Sequence, residues 1–229
     1  MLKSNIQTFV KIFWVFIVLQ TSFSCSPFSE NFVDVEKHPD LANQSWLSGQ
    51  SCLAPCWQGL ELGVSPREEA IHAAQNLAFV QNEHITENLN WVNFACKEPS
   101  DRTCISLGFE DETLSKISLY INYQLTLEQV VEDVGAPDSF VSSYRNPEGP
   151  PCDIELFWIN RQLNIDISYD KQDYASICES LFVGNPKFPR ELLVHTITYL
   201  PLAEINTLIS DYKKTGNMYR LWNGFEDKY

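Results

Sequence analysis

A chain of 229 residues with 44% hydrophobic and 13% aromatic content can bury a substantial core, which excludes a disordered polymer. Its 16 basic and 30 acidic residues give a net charge of −14, which excludes nucleic acid as a partner, because phosphate backbones require clustered Lys and Arg. No polybasic segment offers an electrostatic hold on an anionic membrane.

The first element is a leader over residues 1–24. Lys3 and Lys11 precede the apolar run Ile12-Phe13-Trp14-Val15-Phe16-Ile17-Val18-Leu19, and Ser22 and Ser24 flank Phe23 just before Cys25. That is the layout of a secretory signal peptide, and the uninterrupted run is far short of the ~20 apolar residues that span a bilayer. Without the two leader lysines, 14 basic and 30 acidic residues leave a charge of −16. Residues 25–50 lack periodicity and are rich in Ser, Asn and Pro, so they read as a tether.

The folded part begins at "SCLAPCWQG", residues 51–59, and two repeats of helix followed by strands are expected, over 51–123 and 124–229. Ser65-Pro66-Arg67-Glu68 and Thr126-Leu127-Glu128-Gln129 both have the capping-box pattern, in which a hydroxyl accepts from a free helix N–H and Glu or Gln reaches back. The boxes lie 61 residues apart, as do Phe79-Val80 and Phe140-Val141. Ala70, Ile71, Ala74 and Leu77 form the apolar stripe of the first helix. In the second, Val130, Val131 and Val134 do so, and Gly135-Ala136-Pro137-Asp138 ends it, with Gly135 expected as a left-handed cap.

Strands are predicted over 90–96, 104–110 and 114–122, with Ile105, Leu107 and Phe109 facing inward beside Ile117, Leu119 and Ile121. Glu110-Asp111-Glu112-Thr113 forms the turn between two of them. In the second repeat, 153–160 and 163–169 form a hairpin with Leu163, Ile165 and Ile167 on one face, followed by a strand over 192–200. Pro201 opens a last helix with Leu202, Ile205, Leu208, Ile209 and Tyr212 as its buried stripe, and Gly216 closes it. Helices grouped with antiparallel hairpins make an α+β fold.

Seven cysteines are an odd number for an exported chain. Setting Cys25 apart leaves Cys52, Cys56, Cys96, Cys104, Cys152 and Cys178 for three disulfides. Local pairing is expected: Cys52 with Cys56, Cys96 with Cys104, and Cys152 with Cys178, one of fifteen connectivities. Direct opposition of Cys96 and Cys104 would put Val92 and Phe94 beside Ser106 and Gly108, a poor apolar match, so the pair needs a bulge or another partner.

The position of Cys25, after a signal-type run and a small residue, resembles the lipobox of bacterial lipoproteins, with Ser22 where those carry an aliphatic residue. The resemblance implies a diacylated Cys25 and attachment to the membrane through that lipid. An ordinary signal-peptidase site at the same place would give a freely secreted protein. The stretch "LTLEQVVEDVGAPDSFV" resembles the repeat of small outer-membrane-assembly lipoproteins and of the β-lactamase inhibitor protein fold. Thr126, Val134, Gly135, Pro137 and Asp138 match, with valine for the usual leucine, and the first repeat lacks the Gly-x-Pro-Asp part. The opening "CLAPCWQGLELGVSPREEA" and the close "LWNGFEDKY" resemble uncharacterised bacterial secreted or lipid-anchored proteins. The likeness to the assembly lipoproteins implies a non-enzymatic, protein-binding or assembly role for the sheet face.

Among sites for chemistry, Cys52 and Cys56 differ from a thioredoxin-type centre, since their spacing is one residue too long and no helix follows. A metal pair would need two more ligands, and no His or Cys occurs in the next 15 residues. Catalytic motifs are absent from the sequence, so no catalytic residue, metal or cofactor is assigned. Glu110-Asp111-Glu112 reads as a solvated turn, and His195 as a strand residue. Tyr120 projects opposite the apolar row of its strand and is the candidate binding residue. The expectation is an exported, lipid-anchored, non-catalytic envelope protein that binds a protein or another envelope component. The alternatives are an exported hydrolase whose site is dispersed, and a thiol or copper redox protein using Cys52 and Cys56.

Overall fold

The computed structural model describes residues 48–49, 52–53, 55–96, 103–121, 125–143, 153–168, 178, 187–215 and 218–225. All lie within a unit spanning Phe32–Tyr229; the leader, Cys25 and most of the tether fall outside the described residues. The described elements form an α+β structure that is mostly sheet.

Four short strands come first: β1 (Ser48–Gly49) pairs with β2 (Cys52–Leu53), and β3 (Cys56–Trp57) with β4 (Leu60–Glu61). Helix α1 (Arg67–Gln75) follows, then a meander of β5 (Val80–Glu87), β6 (Trp91–Cys96), β7 (Thr103–Glu110) and β8 (Thr113–Tyr120). Helix α2 (Leu127–Val134) opens a second such unit with β9 (Ser139–Ser143), β10 (Asp153–Trp158), β11 (Leu163–Ser168) and β12 (Leu193–Tyr199). Helix α3 (Leu202–Lys214) and the edge strand β13 (Met218–Leu221) complete the order.

The two units share one nine-stranded antiparallel sheet, ordered β13-β9-β10-β11-β12-β8-β7-β6-β5. Their last strands, β8 and β12, pair with each other, so the meanders run outward in opposite directions from a central seam. At that seam Leu119 lies opposite Ile197, and each continues into an equivalent apolar row: Ile105 and Phe94 on one side, Ile165 and Leu156 on the other. A pseudo-twofold axis therefore passes between Leu119 and Ile197. The helix entries repeat as well. Arg67 N donates to Glu112 O at 2.9 Å and Leu114 N to Ser65 O at 2.9 Å; in the second unit Leu127 N donates to Leu192 O at 2.7 Å and Val194 N to Leu125 O at 2.8 Å.

This correspondence aligns Pro66 with Thr126, at an offset of 60 instead of 61, and it corrects the first capping box. Pro66, not Ser65, is the cap residue of α1 and it makes no side-chain cap. Ser65 stands one position too early, and its hydroxyl accepts from Glu61 N at 3.0 Å. The Thr126 box is complete, with Gln129 N donating to Thr126 Oγ1 at 3.3 Å and Thr126 N to Gln129 Oε1 at 2.8 Å.

Gly135 ends α2, yet its φ of 91° and ψ of 175° are not left-handed helical as expected; the backbone opens straight into an extended region that side chains disfavour. Its carbonyl then accepts from the Trp158 indole at 2.6 Å, and the Asp138 carboxylate accepts from Ile159 N at 2.7 Å. The Gly-Ala-Pro-Asp stretch thereby ties the helix end to the end of β10. Gly216 lies outside the described residues, and α3 ends at Thr215.

Both α1 and α2 bury their apolar stripes, among them Ala70, Ala74, Leu127, Val130 and Val134, against one sheet face made by the rows through Leu119 and Ile197. Helix α3 packs on the opposite face over β9 and β10, where Ile205 and Ile209 meet Val141 and Phe157. Leu202, the first residue of α3, is 43% exposed and does not join that stripe.

Candidate functional site

The Cys96–Cys104 disulfide forms, with Cα atoms 5.6 Å apart. A shift of register between Phe94 and Ala95 removes the apolar mismatch of direct opposition: Val92 pairs with Leu107 and Phe94 with Ile105. Cys56 and Cys178 are also disulfide-bonded and buried. The side chains of their expected partners, Cys52 and Cys152, lie outside the described residues. Trp57, just after Cys56, is 1% exposed within the main core. Among the described residues there is no group of three or more His, Cys, Asp or Glu placed to hold a metal ion.

Glu110-Asp111-Glu112 forms the predicted turn: Asp111 and Glu112 have φ values of 47° and 62°, as a two-residue hairpin with the twist of its strands requires. A bulge in β12 leaves His195 exposed.

On the second face α3 covers Val141 and Phe157, and from β11 to β5 that face is mostly polar, because β-alternation sends the apolar rows to the other side. A row of short polar side chains crosses it from strand to strand: Thr86, Asn93, Ser106, Ser118, Thr198 and Asn164. They are linked, with Ser106 Oγ donating to Asn93 Oδ1 at 2.6 Å and Thr198 Oγ1 to Ser118 Oγ at 3.5 Å. Tyr120 stands in the next row, opposite Thr196 and one pair from the pseudo-twofold axis. Its ring is 37% exposed at the end of β8, a strand in the middle of the sheet order, whereas Ser106, Ser118, Thr196, Thr198 and Asn164 near it are buried. The axis relates Tyr120 to Thr198, so the aromatic has no aromatic counterpart in the second repeat.

Toward the first repeat, Trp91 lies over Gly108, its cross-strand partner. A Cβ at Gly108 would meet the Trp91 ring and Lys116 Cβ at 3.1 Å, so glycine is what gives the indole room to approach the strand this closely. Lys116 Nζ stands 5.8 Å from the indole centroid and 3.8 Å from Glu204 of α3.

Toward the second repeat, β10 and β11 place Glu155 directly opposite Asp166, a like-charge pair. Tyr212 of α3 donates its hydroxyl to Glu155 Oε1, and Asn164 Nδ2 donates to Glu155 Oε2 at 3.3 Å. Burial pushes the Glu155 carboxyl above its ordinary value, against those hydrogen bonds and with the nearby Asp153 charge. Burial and the adjoining carboxyl also push the Tyr212 hydroxyl upward.

Of the residues singled out from the sequence, Tyr120 stands on the polar face, and Cys56, Cys96, Cys104 and Cys178 are buried and disulfide-bonded. Glu155, Asn164 and Trp91 were not singled out. Their signal was present in the alternation of "DIELFW", "LNIDIS" and "WVNFAC", whose outward positions they occupy. No known family model, curated protein or solved structure matches the chain.

Proposed function

We propose that the chain is an exported, lipid-anchored envelope protein without catalytic activity that binds a protein partner on the polar face of its sheet. The observation that carries this reading is Tyr120, an exposed aromatic at the end of a central strand, standing beside buried Ser and Thr side chains. A rigid ring with a hydroxyl tip, surrounded by short side chains, gives large contact area at low entropic cost, the chemistry found at the energetic centres of protein interfaces. Broad strands on a two-repeat frame support such a role, since they hold the face in shape before binding.

The anchor rests on the sequence. Cys25 follows a signal-type leader and precedes some 25 residues of tether, which supports a lipid on its thiol and a reach from the membrane surface. The redox alternative is disfavoured by the burial of Cys56, since a reactive sulfur has to be reached by its redox partner.

Photo-crosslinking tests the reading. A photoreactive residue at position 120 in the full chain, expressed in the cells that produce it, should give one discrete adduct, and the same residue at Glu69 on α1 should give none. Adducts at both positions, or at neither, refute a partner on this face. Intact mass tests the anchor: a diacylglyceryl increment absent from Cys25→Ser supports it, and an unmodified Cys25 refutes it.

A further inference from the structure

We propose that the contact patch is confined to the first repeat, where it runs from Tyr120 to Trp91 across β8, β7 and β6, and that the partner meets it with uncharged groups. This extends, and rests on, the docking of a protein at Tyr120. Trp91 lies straight across two strands from Lys116, through Gly108, and Tyr120 stands four residues beyond Lys116 on β8. Strand spacing and rise put about 16 Å between the Cα atoms of the two aromatic residues, well inside a contact patch of roughly 800 Å². Between them the three strands present Asn93, Ser106, Gly108, Lys116 and Ser118. Ser106 and Ser118 are each 5% exposed, so the aromatic side chains form the raised ends of a recessed floor.

Charge separates this half of the face from the other. The chain carries −14, yet Lys116 is the sole charged group among those five, and Glu204 of α3 stands 3.8 Å from its Nζ. The pseudo-twofold axis relates Trp91 to Asp153, Asn93 to Glu155 and Ser106 to Asp166. Where the second repeat carries three carboxylates, the first carries an indole, an amide and a hydroxyl. Helix α3 also occupies the second-repeat half, over Val141 and Phe157. A partner charge pressed against the neutral stretch would lose its water and gain no counter-ion, because Lys116 and Glu204 already satisfy each other. Aromatic side chains at the ends, with charge kept out of the middle, match the composition of the desolvated centre of a protein contact.

Gly108 fixes the Trp91 end. With a Cβ there 3.1 Å from the indole and from Lys116 Cβ, the ring or the lysine would have to shift, so the glycine sets how closely the ring approaches the strand. Trp91 is thus a contact residue and Gly108 a positioning residue.

Crosslinking and titration of the full chain test this. A photoreactive aromatic residue at position 91 should capture the same protein, by mass, as one at position 120, and one at position 153 should capture none. Capture at 120 without capture at 91, or with capture at 153, overturns the extended patch and leaves docking at Tyr120 intact; no capture at 120 overturns both. With the protein captured at position 120 as the probe, affinity should fall by no more than about twofold between roughly 0.05 M and roughly 0.5 M NaCl, because no opposed charges are screened. A larger fall overturns the uncharged contact. Trp91→Ala should weaken binding about tenfold or more, Trp91→Phe less, and Asp153→Asn not at all. Gly108→Ala should weaken binding in the wild type and add nothing in Trp91→Ala, since it acts through the ring. Equal affinities for the wild type and Trp91→Ala overturn the proposal, and the same Gly108→Ala loss in both backgrounds overturns the positioning role. Should Trp91→Ala fail to fold, the crosslink at position 91 and the salt series, both made without it, decide.

Discussion

Replacing Leu119 with alanine strikes the seam on which both repeats depend. Leu119 is fully buried, with Ile105 on one side and Ile197 on the other. Leucine-to-alanine changes at buried sites cost about 2–5 kcal/mol, with the larger values where neighbours cannot collapse into the space. Here both neighbours are β-branched and fixed in central strands, so a loss near about 4 kcal/mol is expected. With a urea slope of about 2 kcal/mol per molar, the midpoint should fall by about 2 M at unchanged slope. Urea unfolding followed by circular dichroism, with hydrogen exchange read separately for β6–β7 and β10–β11, checks this. Both repeats should lose stability together, because the lost contacts join them. A midpoint shift under about 0.5 M, or destabilisation of β6–β7 alone, would refute the shared core.

Two further substitutions probe local claims. Thr126→Ala should cost about 1 kcal/mol by chemical denaturation through loss of the complete capping box, whereas Pro66→Ala, at a position without a side-chain cap, should cost no cap energy. Replacing both Cys96 and Cys104 with alanine should lower stability by about 2.5 kcal/mol, the chain-entropy figure for so short a loop; a loss near zero would show that the bulged hairpin is held by its ladder alone.

Much of the frame was legible because period-2 alternation and turn chemistry are local. The strands β6, β7, β8, β10, β11 and β12 fall within a residue or two of their expected ranges, since Val, Ile and Leu alternate there with polar residues. The edge strands β5 and β13 and the strand β9 were not legible. "VQNEHITE" is mostly polar because an edge strand with a bulge faces water, and "SFVSS" is too short and too small to alternate visibly. The duplication showed in its spacing, but the offset was misjudged by one because Ser65 has the right chemistry in the wrong place. The bulge that admits the Cys96–Cys104 bond was foreseen as a requirement of apolar matching. The polar face was half legible: Tyr120 follows from alternation within β8, whereas its place at the centre of the sheet depends on the pairing of β8 with β12, whose paired residues are about 80 positions apart in sequence. No local pattern carries that information. The Glu155–Tyr212 contact, between β10 and α3, was hidden for the same reason.

The central claim is that a protein partner docks on this face with Tyr120 at its energetic centre. Once crosslinking has identified that partner, titration of the purified full chain against it measures the claim most directly. Tyr120→Ala should weaken binding by about 30-fold or more, the loss typical of an interface hot spot, while Glu69→Ala should leave it unchanged. Equal affinities for wild type and Tyr120→Ala would contradict the account.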